Sequence, residues 1–212
     1  MTAEIGSLHV LTDPRGGPAA LDTVAAAVAA GAPVVQVRMK GCTDRALHDF
    51  ARSVVRICAA AGATCLVNDR VDVALAVGAD GTHLGAEDLP VAAVRRIAGP
   101  GHLIGGTARE PERARRLVEE GADYLGVGPA YPTSSKSGLP DALGPAGIRA
   151  VATAVEVPVI AIGGITADRI PDLLAAGAAG VAVIGAVSGA SDPHAATRAL
   201  LRVLETNRGQ RR

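Results

Sequence analysis

A loop at residues 126–136 combines the residue types that bind phosphate. It reads Gly-Val-Gly-Pro-Ala-Tyr-Pro-Thr-Ser-Ser-Lys. Its small residues leave backbone N–H groups accessible, while Thr133, Ser135 and Lys136 add hydroxyl donors and a positive charge. The same composition is common in solvent-facing turns, so the loop alone leaves both interpretations open.

A second group of polar residues recurs at every other position of the run Gln-Val-Arg-Met-Lys at 36–40. In a strand, this spacing places Gln36, Arg38 and Lys40 on one face. Facing the inside of a barrel, they would present two cations and an amide to an oligophosphate. An outward face is the alternative, but such faces pack on helices and rarely carry Arg and Lys together. We therefore predict that the three side chains face inward.

Two carboxylates follow neighbouring predicted strands. Asp69 comes directly after Asn68 at the end of one strand, and Asp88 lies in the loop after the next. With water and substrate phosphate oxygens, they would form the sparse oxygen site that Mg²⁺ prefers. Helix capping is the alternative for each Asp taken alone. Their position beside the basic strand favours a metal that bridges them to a diphosphate.

His83 lies within the strand that precedes Asp88. We interpret it as a core histidine whose hydrogen bonds are satisfied, or as one that supports site residues, and not as a catalytic residue. The five histidines and three cysteines of the chain show no spacing typical of zinc ligands.

Two glycine-containing turns late in the chain predict a second anion site. Gly163 and Gly164 follow one predicted strand and open a helix, and Ile184-Gly185 follows the next strand. Barrels often bind phosphate between these two loops, through backbone N–H groups and a helix N-terminus. A metal-assisted anion site and a bare phosphate site in one protein favour a two-substrate transfer over a hydrolysis.

The elements that must position these residues alternate along the whole chain: short apolar, β-branched runs and longer segments rich in Ala, Leu and Arg. Strands are predicted to begin near Leu8, Val34, Thr64, Gly81, Leu103, Tyr124, Val157 and Gly180. Helices are predicted over 18–30, 44–61, 70–77, 90–98, 110–120, 145–154, 167–176 and 193–205. Gly-Ala pairs at 31–32, 121–122 and 177–178 are typical of helix C-termini.

Eight such units predict an α/β fold, a (β/α)8 TIM barrel, with an open doubly wound sheet as the alternative. We expect one domain over residues 1–212, with 206–212 as a frayed tail. In a barrel of this kind, every polar cluster described above lies at the carboxyl ends of the strands, where barrel enzymes perform their chemistry.

The composition excludes several classes of protein. Lys plus Arg number 21, as do Asp plus Glu, so no basic field attracts nucleic acid or an anionic membrane. Aromatic residues make up 1%, and Trp is absent, which removes the stacking surfaces of single-strand binders. Three cysteines without Cys-x-x-Cys spacing favour a cytoplasmic location, and no apolar stretch approaches the ~18 residues of a membrane span. Small molecules are the expected partners, and the sequence leaves a homo-oligomer open.

Five motifs, in this order, resemble the thiamine phosphate synthase family. They are Gln-Val-Arg-Met-Lys at 36–40, Val-Asn-Asp-Arg-Val-Asp at 67–72, Ala-Asp-Gly-Thr-His-Leu-Gly-Ala-Glu-Asp-Leu-Pro at 79–90, Gly-Ala-Asp-Tyr-Leu-Gly-Val-Gly-Pro-Ala-Tyr-Pro-Thr at 121–133 and Ala-Ile-Gly-Gly-Ile at 161–165. The family fold is a (β/α)8 barrel. The resemblance implies a transferase, with Mg²⁺ as cofactor, that joins hydroxymethylpyrimidine diphosphate to a thiazole phosphate and gives thiamine phosphate and pyrophosphate.

The resemblance also implies roles for individual residues. Arg38, Lys40 and Lys136 would be catalytic by neutralising the departing diphosphate. The implied ligands of the pyrimidine diphosphate are Gln36, Arg38, Lys40, Asn68 and Lys136, with Asp69 and Asp88 on magnesium. The implied ligands of the thiazole phosphate are Thr133, Ser135 and the backbone at Gly164, Ile184 and Gly185; Thr107 completes the substrate-binding set. In this family, diphosphate leaves first and the thiazole nitrogen captures a pyrimidine methyl cation, so no general base is required.

The chain departs from the family's pattern at four positions. These are Met39 where Glu is common, Ala86 where Gln is usual, Thr107 where Ser is usual, and Gly185 where Ser often lies. Thr107 keeps a hydroxyl, whereas Ala86 removes a polar side chain beside the metal loop.

The main competing hypothesis is a thiazole tautomerase-like or regulatory paralogue of the same barrel, which binds thiazole phosphate without coupling it. In the tautomerases, a histidine two residues after the fifth-strand hydroxyl transfers the proton, and this chain has Arg109 there. A non-catalytic binding barrel, the third hypothesis, has no need of both magnesium carboxylates. Asp69 and Asp88 therefore favour the synthase.

Overall fold

Eight parallel strands close into a barrel in a computed structural model that describes residues 5–13, 19–133, 138 and 140–208. Each strand pairs with the next in the chain, and the last pairs with the first. The strands are β1 Leu8–Leu11, β2 Val34–Val37, β3 Thr64–Asn68, β4 Gly81–Leu84, β5 Leu103–Ala108, β6 Tyr124–Val127, β7 Val159–Ile162 and β8 Gly180–Val183. The predicted (β/α)8 barrel is confirmed, and the open doubly wound sheet is excluded.

Helices follow the strands and surround the barrel. They are α1 Ala20–Ala29, α2 Asp44–Ala61, α3 Val71–Val77, α4 Val91–Ala98, α5 Pro111–Glu119, α6 Gly144–Ala152, α7 Ile170–Ala175, α8 Gly185–Ser188 and α9 Pro193–Arg208. Their apolar stripes pack on the outer face of the strands: in α2, Leu47, Ala51, Val54 and Cys58 recur on one side and are buried. No helix of the described residues is both long and apolar enough to cross a membrane.

The predicted Gly-Ala helix ends are confirmed. Gly31, Gly121 and Gly177 follow α1, α5 and α7 with φ of 95°, 101° and 103°, a region that side chains with a Cβ rarely adopt. The N–H of the alanine after each glycine donates to a carbonyl five residues earlier, as in Ala122 to Leu117 at 2.9 Å. These caps turn the chain sharply from each helix into the next strand.

Apart from shifts of one to three residues at helix ends, three features differ from the sequence-based prediction. Strand β7 begins at Val159 rather than Val157, after Pro158, which has no N–H to give to a ladder. The predicted helix 167–176 is divided into a 3₁₀ turn, Ala167–Arg169, and α7, because Pro171 lacks the N–H that would continue an α-helical bond to the turn. Helix α8 was missed, since four residues are too few to show helical periodicity.

The end of the chain is more ordered than expected. Helix α9 continues to Arg208, so residues 206–208, expected to fray, are helical. Leu200, Leu201 and Leu204 are buried on its inner face, and Asn207 Nδ2 donates to the Val203 carbonyl at 2.8 Å in the last turn. The rest of the expected tail, 209–212, lies outside the described residues.

Candidate active site

The carboxyl ends of the strands surround a cavity of about 1090 Å³. The eleven residues of the predicted site that the structure describes all line it: Gln36, Arg38, Lys40, Asn68, Asp69, Asp88, Thr107, Thr133, Gly164, Ile184 and Gly185. Ser135 and Lys136 lie outside the described residues. Because ligand pockets usually measure about 300–1,000 Å³, this cavity has room for two small substrates at once.

The basic residues of β2 and its extension line one wall. Thr12, just after β1, holds the Arg38 backbone: its hydroxyl accepts from the Arg38 N–H at 2.8 Å and donates to the Arg38 carbonyl at 3.0 Å. The Lys40 ammonium forms an ion pair with the Asp69 carboxylate. The Arg38 guanidinium, by contrast, has no ion pair within the described ranges, so its charge is available to an anion in the cavity.

The two carboxylates predicted as metal ligands lie close together. Asp69 has a φ of 65°, rare for a residue with a Cβ and typical of functional sites, and its N–H donates to the His83 carbonyl at 2.8 Å. The Asp88 carboxylate accepts from the Gly85 N–H at 2.6 Å. Burial, followed by a hydrogen bond with the Asp69 carboxyl, raises the pKa of Asp88.

Helix capping, the alternative for these two residues, is wrong. The N-cap of α3 is Arg70 and that of α4 is Pro90, and neither supplies a side-chain cap. Asp88 bonds to Gly85, three residues before it, rather than to an N–H of α4. Neither Asp69 nor Asp88 is therefore the N-cap of the helix that follows it.

The acid pair fits a loosely held divalent cation. No group of three or more His, Cys, Asp or Glu side chains that could hold a metal occurs in the part of the chain that is described. The hydrogen bond with the Asp69 carboxyl helps to raise the pKa of Asp88, and a cation beside the two carboxylates would neutralise their charge. Mg²⁺ typically takes one or two protein carboxylates and completes its shell with water and phosphate oxygens.

The loops after β7 and β8 form the opposite wall. Gly163 and Gly164 both have left-handed φ angles, 98° and 62°, so the chain turns sharply under the cavity. Arg169 supports this turn: its Nη1 donates to the Gly164 carbonyl at 2.6 Å, and its guanidinium lies 4.5 Å from the centre of the Tyr131 ring. Sequence reasoning missed Arg169, although it is the first basic residue after the glycine pair.

Arg109 was also missed as a supporting residue. Its Nη1 donates to the Gly128 carbonyl at 2.9 Å, and its Nη2 donates to the Asp141 carbonyl at 2.8 Å. These two carbonyls flank the loop that carries Thr133. Arg109, just after β5, thus joins the described residues on both sides of this loop.

The floor of the cavity is a polar network inside the barrel. His83 Nδ1 lies 3.0 Å from the Tyr124 hydroxyl, and His83 Nε2 lies 3.0 Å from Thr107 Oγ1. A Cβ at Gly105 would overlap both Tyr124 and His83, and one at Gly126 would come within 2.8 Å of His83. The glycines of β5 and β6 therefore make room for the two rings, and His83 has partners on both nitrogens, as a satisfied histidine should.

The imidazoles of the floor are uncharged at neutral pH. Burial lowers the pKa of His9 to about 3, with the neighbouring His83 as a smaller cause, and burial lowers the pKa of His83 to about 4. His9 Nε2 is buried and has no hydrogen-bond partner among the described residues, and the His9 ring contacts Tyr124 edge-on at 5.3 Å between centroids. The positive charge of this cavity therefore lies on its walls and not on its floor.

His9→Gln is expected to flatten the pH dependence of stability. Folding lowers the His9 pKa from 6.5 to about 3, so the stabilising neutral form contributes fully above pH 6.5. As the pH falls below that value, unfolding takes up a proton, and the free energy of unfolding drops by up to about 1.4 kcal/mol per pH unit. Urea unfolding at several pH values between about 6 and about 4 measures this slope. Exposed His48→Gln is the control, and an unchanged slope in His9→Gln would contradict a neutral buried imidazole.

Comparison with known proteins agrees with this geometry. The family model for thiamine monophosphate synthase matches residues 8–187. The chain belongs to the thiamine monophosphate synthase family. It is 56% identical over 205 residues to a thiamine-phosphate synthase of Salinispora arenicola, covering 95% of this chain and 99% of that protein. The thiamine-phosphate synthase of Chlorobium luteolum is 44% identical, covering 95% and 94%. A thiamine phosphate pyrophosphorylase structure from Pyrococcus furiosus superposes with a TM-score of 0.87 at 38% identity, covering 95% and 96%.

As a member of the thiamine monophosphate synthase family, the protein is a transferase of thiamine biosynthesis. The structure also places two departures from the family's pattern. Met39 packs in the apolar cluster between β2, β3 and α2 and does not line the cavity. Ala86, in contrast, lines the cavity beside Asp88.

Proposed function

We propose that this enzyme joins hydroxymethylpyrimidine diphosphate to a thiazole phosphate and releases thiamine phosphate and pyrophosphate. One observation carries the proposal: a wall of paired acids and bases and a wall of glycine turns face a single cavity of about 1090 Å³. A charged wall suits a diphosphate with its metal, and a glycine wall suits a phosphate held by the backbone. Two anionic substrates can then meet between the walls.

The pyrimidine diphosphate is assigned to the wall formed by β2, β3 and β4. Gln36, Arg38, Lys40 and Asn68 would bind it, together with Lys136 outside the described residues. Asp69 and Asp88 would hold Mg²⁺, which when bound adds positive charge next to the diphosphate oxygens. The Arg38 guanidinium, which has no ion pair among the described residues, and the Lys40–Asp69 pair support this placement.

The thiazole phosphate is assigned to the opposite wall. The backbone at Gly164, Ile184 and Gly185 would approach the phosphate closely, with Thr133 and Ser135 as hydroxyl donors. Arg169 supports the assignment, because it fixes the Gly164 turn through the carbonyl of that residue. A pre-formed turn loses little conformational entropy when it binds an anion.

The proposed reaction breaks the bond between the pyrimidine methylene carbon and the diphosphate oxygen, and the electron pair leaves with the diphosphate. The thiazole nitrogen lone pair then forms the new C–N bond, and no proton is lost. Arg38, Lys40 and Lys136 would stabilise the charge that develops on the leaving group. The neutral floor suits a short-lived cation, because His83 neither repels it nor offers a free nitrogen to trap it.

The direct test is to incubate the purified protein with both substrates, with and without Mg²⁺, and to follow thiamine phosphate by chromatography. Magnesium-dependent product confirms the proposal. Binding of the thiazole phosphate without any product would instead identify the tautomerase-like or regulatory alternative.

We also propose a reducing, cytoplasmic location. Cys42, Cys58 and Cys65 are free thiols, and two of them are buried. A hydrogen bond with Cys58, followed by burial, raises the pKa of the Cys65 thiol, which therefore stays protonated and unreactive.

Gly164→Ala is expected to raise the KM for the thiazole phosphate by about tenfold or more, while the KM for the pyrimidine diphosphate stays within about twofold. The added Cβ would sit at a φ of 62° and would contact the Tyr131 side chain at 2.8 Å, which shifts the turn that is assigned to the phosphate. Initial-rate kinetics with each substrate varied in turn measure both constants.

The control for that variant is Gly78→Ala at the end of α3. Gly78 has a similar φ of 69°, but nothing lies within 4 Å of its Cβ position. It should cost about 1 kcal/mol of stability and leave both KM values unchanged. An equal rise in the KM for both substrates in Gly164→Ala would mean that the whole cavity mouth has collapsed.

A further inference from the structure

A line of three polar side chains crosses the inside of the barrel, from Tyr124 on β6 through His83 on β4 to Thr107 on β5. The Tyr124 hydroxyl lies 3.0 Å from His83 Nδ1, and His83 Nε2 lies 3.0 Å from Thr107 Oγ1. All three side chains line the cavity, but Tyr124 is buried, whereas Thr107 is half-buried. The line therefore ends at the Thr107 hydroxyl, which is the most accessible of its polar groups.

The hydrogen bonds along this line run in one direction. Burial raises the pKa of the Tyr124 hydroxyl, which therefore keeps its proton. His83 Nδ1 lies within hydrogen-bond distance of this buried hydroxyl, at 3.0 Å, so Tyr124 gives its proton to Nδ1. A neutral imidazole carries one N–H, which is then on Nε2 and points to Thr107.

We propose that Tyr124 and His83 are positioning residues that hold the Thr107 hydroxyl as a donor to an anionic oxygen of the bound diphosphate. Thr107 Oγ1 accepts from His83 Nε2–H, so its own hydrogen is left for the cavity. Thr107 is on β5, which pairs with β4, and Asp88 lies in the loop after β4. Thr107 is therefore on the side of the cavity assigned to the diphosphate. This inference rests on the proposed function, since it takes the diphosphate as the ligand of that wall.

The direction of these hydrogen bonds decides whether the Thr107 hydroxyl stabilises or repels a bound anion. A hydroxyl that donated to His83 would turn its lone pairs toward the anion and repel it. Fixing the donor orientation in advance removes this arrangement and the rotational freedom of the hydroxyl before the leaving group develops charge. A hydrogen bond to a charged group is worth more than one between neutral groups, so the orientation matters most for an anionic ligand.

The test is a double-mutant cycle on Tyr124→Phe and Thr107→Val, which remove single hydroxyl groups and keep the shape of each side chain. Single-turnover rates with both substrates saturating are the first measurement. We expect Thr107→Val to lower the rate about 10–100-fold and Tyr124→Phe about 3–30-fold. In the double variant, Tyr124→Phe should add less than about twofold, because it acts through a hydroxyl that is already absent. Rate losses that multiply in the double variant would overturn the proposal.

Two further variants separate positioning from support of the fold. Thr107→Ser keeps the donor and should retain the rate within about threefold, and it should remain sensitive to Tyr124→Phe. The control is the buried Thr82–His102 pair, whose side chains lie 2.8 Å apart on the same barrel but outside the cavity. His102→Gln should lower the melting temperature and leave the rate unchanged. If Tyr124→Phe does not fold, His83→Gln tests the same link.

The same double-mutant cycle can be repeated without turnover by measuring the binding of inorganic pyrophosphate with Mg²⁺ by calorimetry. The same coupling between Tyr124→Phe and Thr107→Val is expected in the dissociation constant, and independent effects there would overturn the proposal. A parent protein that forms no thiamine phosphate would refute the proposed function instead, while pyrophosphate affinity would still decide the roles of Tyr124 and His83.

Discussion

An Asp88→Asn variant is expected to lose about 100-fold or more of its magnesium-dependent turnover while it melts at a higher temperature than the parent without Mg²⁺. The loss follows from removing one of two proposed metal carboxylates. The gain follows from the raised pKa of Asp88, which burial and the neighbouring Asp69 cause. For an acid whose pKa rises on folding, stability is present at low pH and is lost as the pH rises through the folded pKa.

Asparagine removes that penalty because it is neutral at every pH, and its side-chain oxygen can still accept from the Gly85 N–H. Differential scanning fluorimetry at neutral pH, with and without Mg²⁺ plus pyrophosphate, measures the stability effect. Mg²⁺ plus pyrophosphate should raise the melting temperature of the parent and leave that of the variant unchanged. The control is Glu87→Gln, an exposed neighbour on the same loop, which should keep its rate within about threefold. If Asp88→Asn keeps the parent's rate and magnesium response, the proposal that Asp69 and Asp88 bind the metal is wrong.

The barrel could be predicted from the sequence because each of its units carries its own signals. Seven strands begin at the predicted residue, since their apolar runs are bounded by glycines and loop residues that are visible locally. The site residues could be placed at one end for the same reason. Once strands alternate with helices, Asp69 and Gly163 must both follow the carboxyl end of a strand.

Contacts that cross the barrel could not be predicted in this way. His83 and Tyr124 are 41 residues apart, and their bond exists only because Gly105 leaves space for both rings. The bonds from Arg109 to the Gly128 and Asp141 carbonyls likewise join residues that are 19 and 32 positions apart. The local signal for Asp69 and Asp88 was also misleading on its own, since an aspartate before a helix is a common cap.

Arg38→Ala is expected to lower kcat/KM for the pyrimidine diphosphate about 10²–10³-fold, the usual cost of losing one charge-assisted donor from a protected site. Lys40 shares its charge with Asp69, whereas the Arg38 guanidinium has no ion pair in the described ranges. Thr12 holds the Arg38 backbone on both sides, at 2.8 and 3.0 Å, so the side chain extends from a fixed point of the cavity wall.

The pattern among Arg38 variants tests whether its geometry matters as well as its charge. Arg38→Lys should recover only part of the loss, because a compact ammonium cannot reproduce the two parallel bonds of a guanidinium to one phosphate. The control is Arg70→Ala, which removes a guanidinium that already pairs with Asp44 and Asp72 outside the cavity. It should leave kcat/KM unchanged, as expected for a surface ion pair. Steady-state kinetics with varied pyrimidine diphosphate measure the series, and an Arg38→Ala value within about threefold of the parent would mean that Arg38 does not bind the diphosphate.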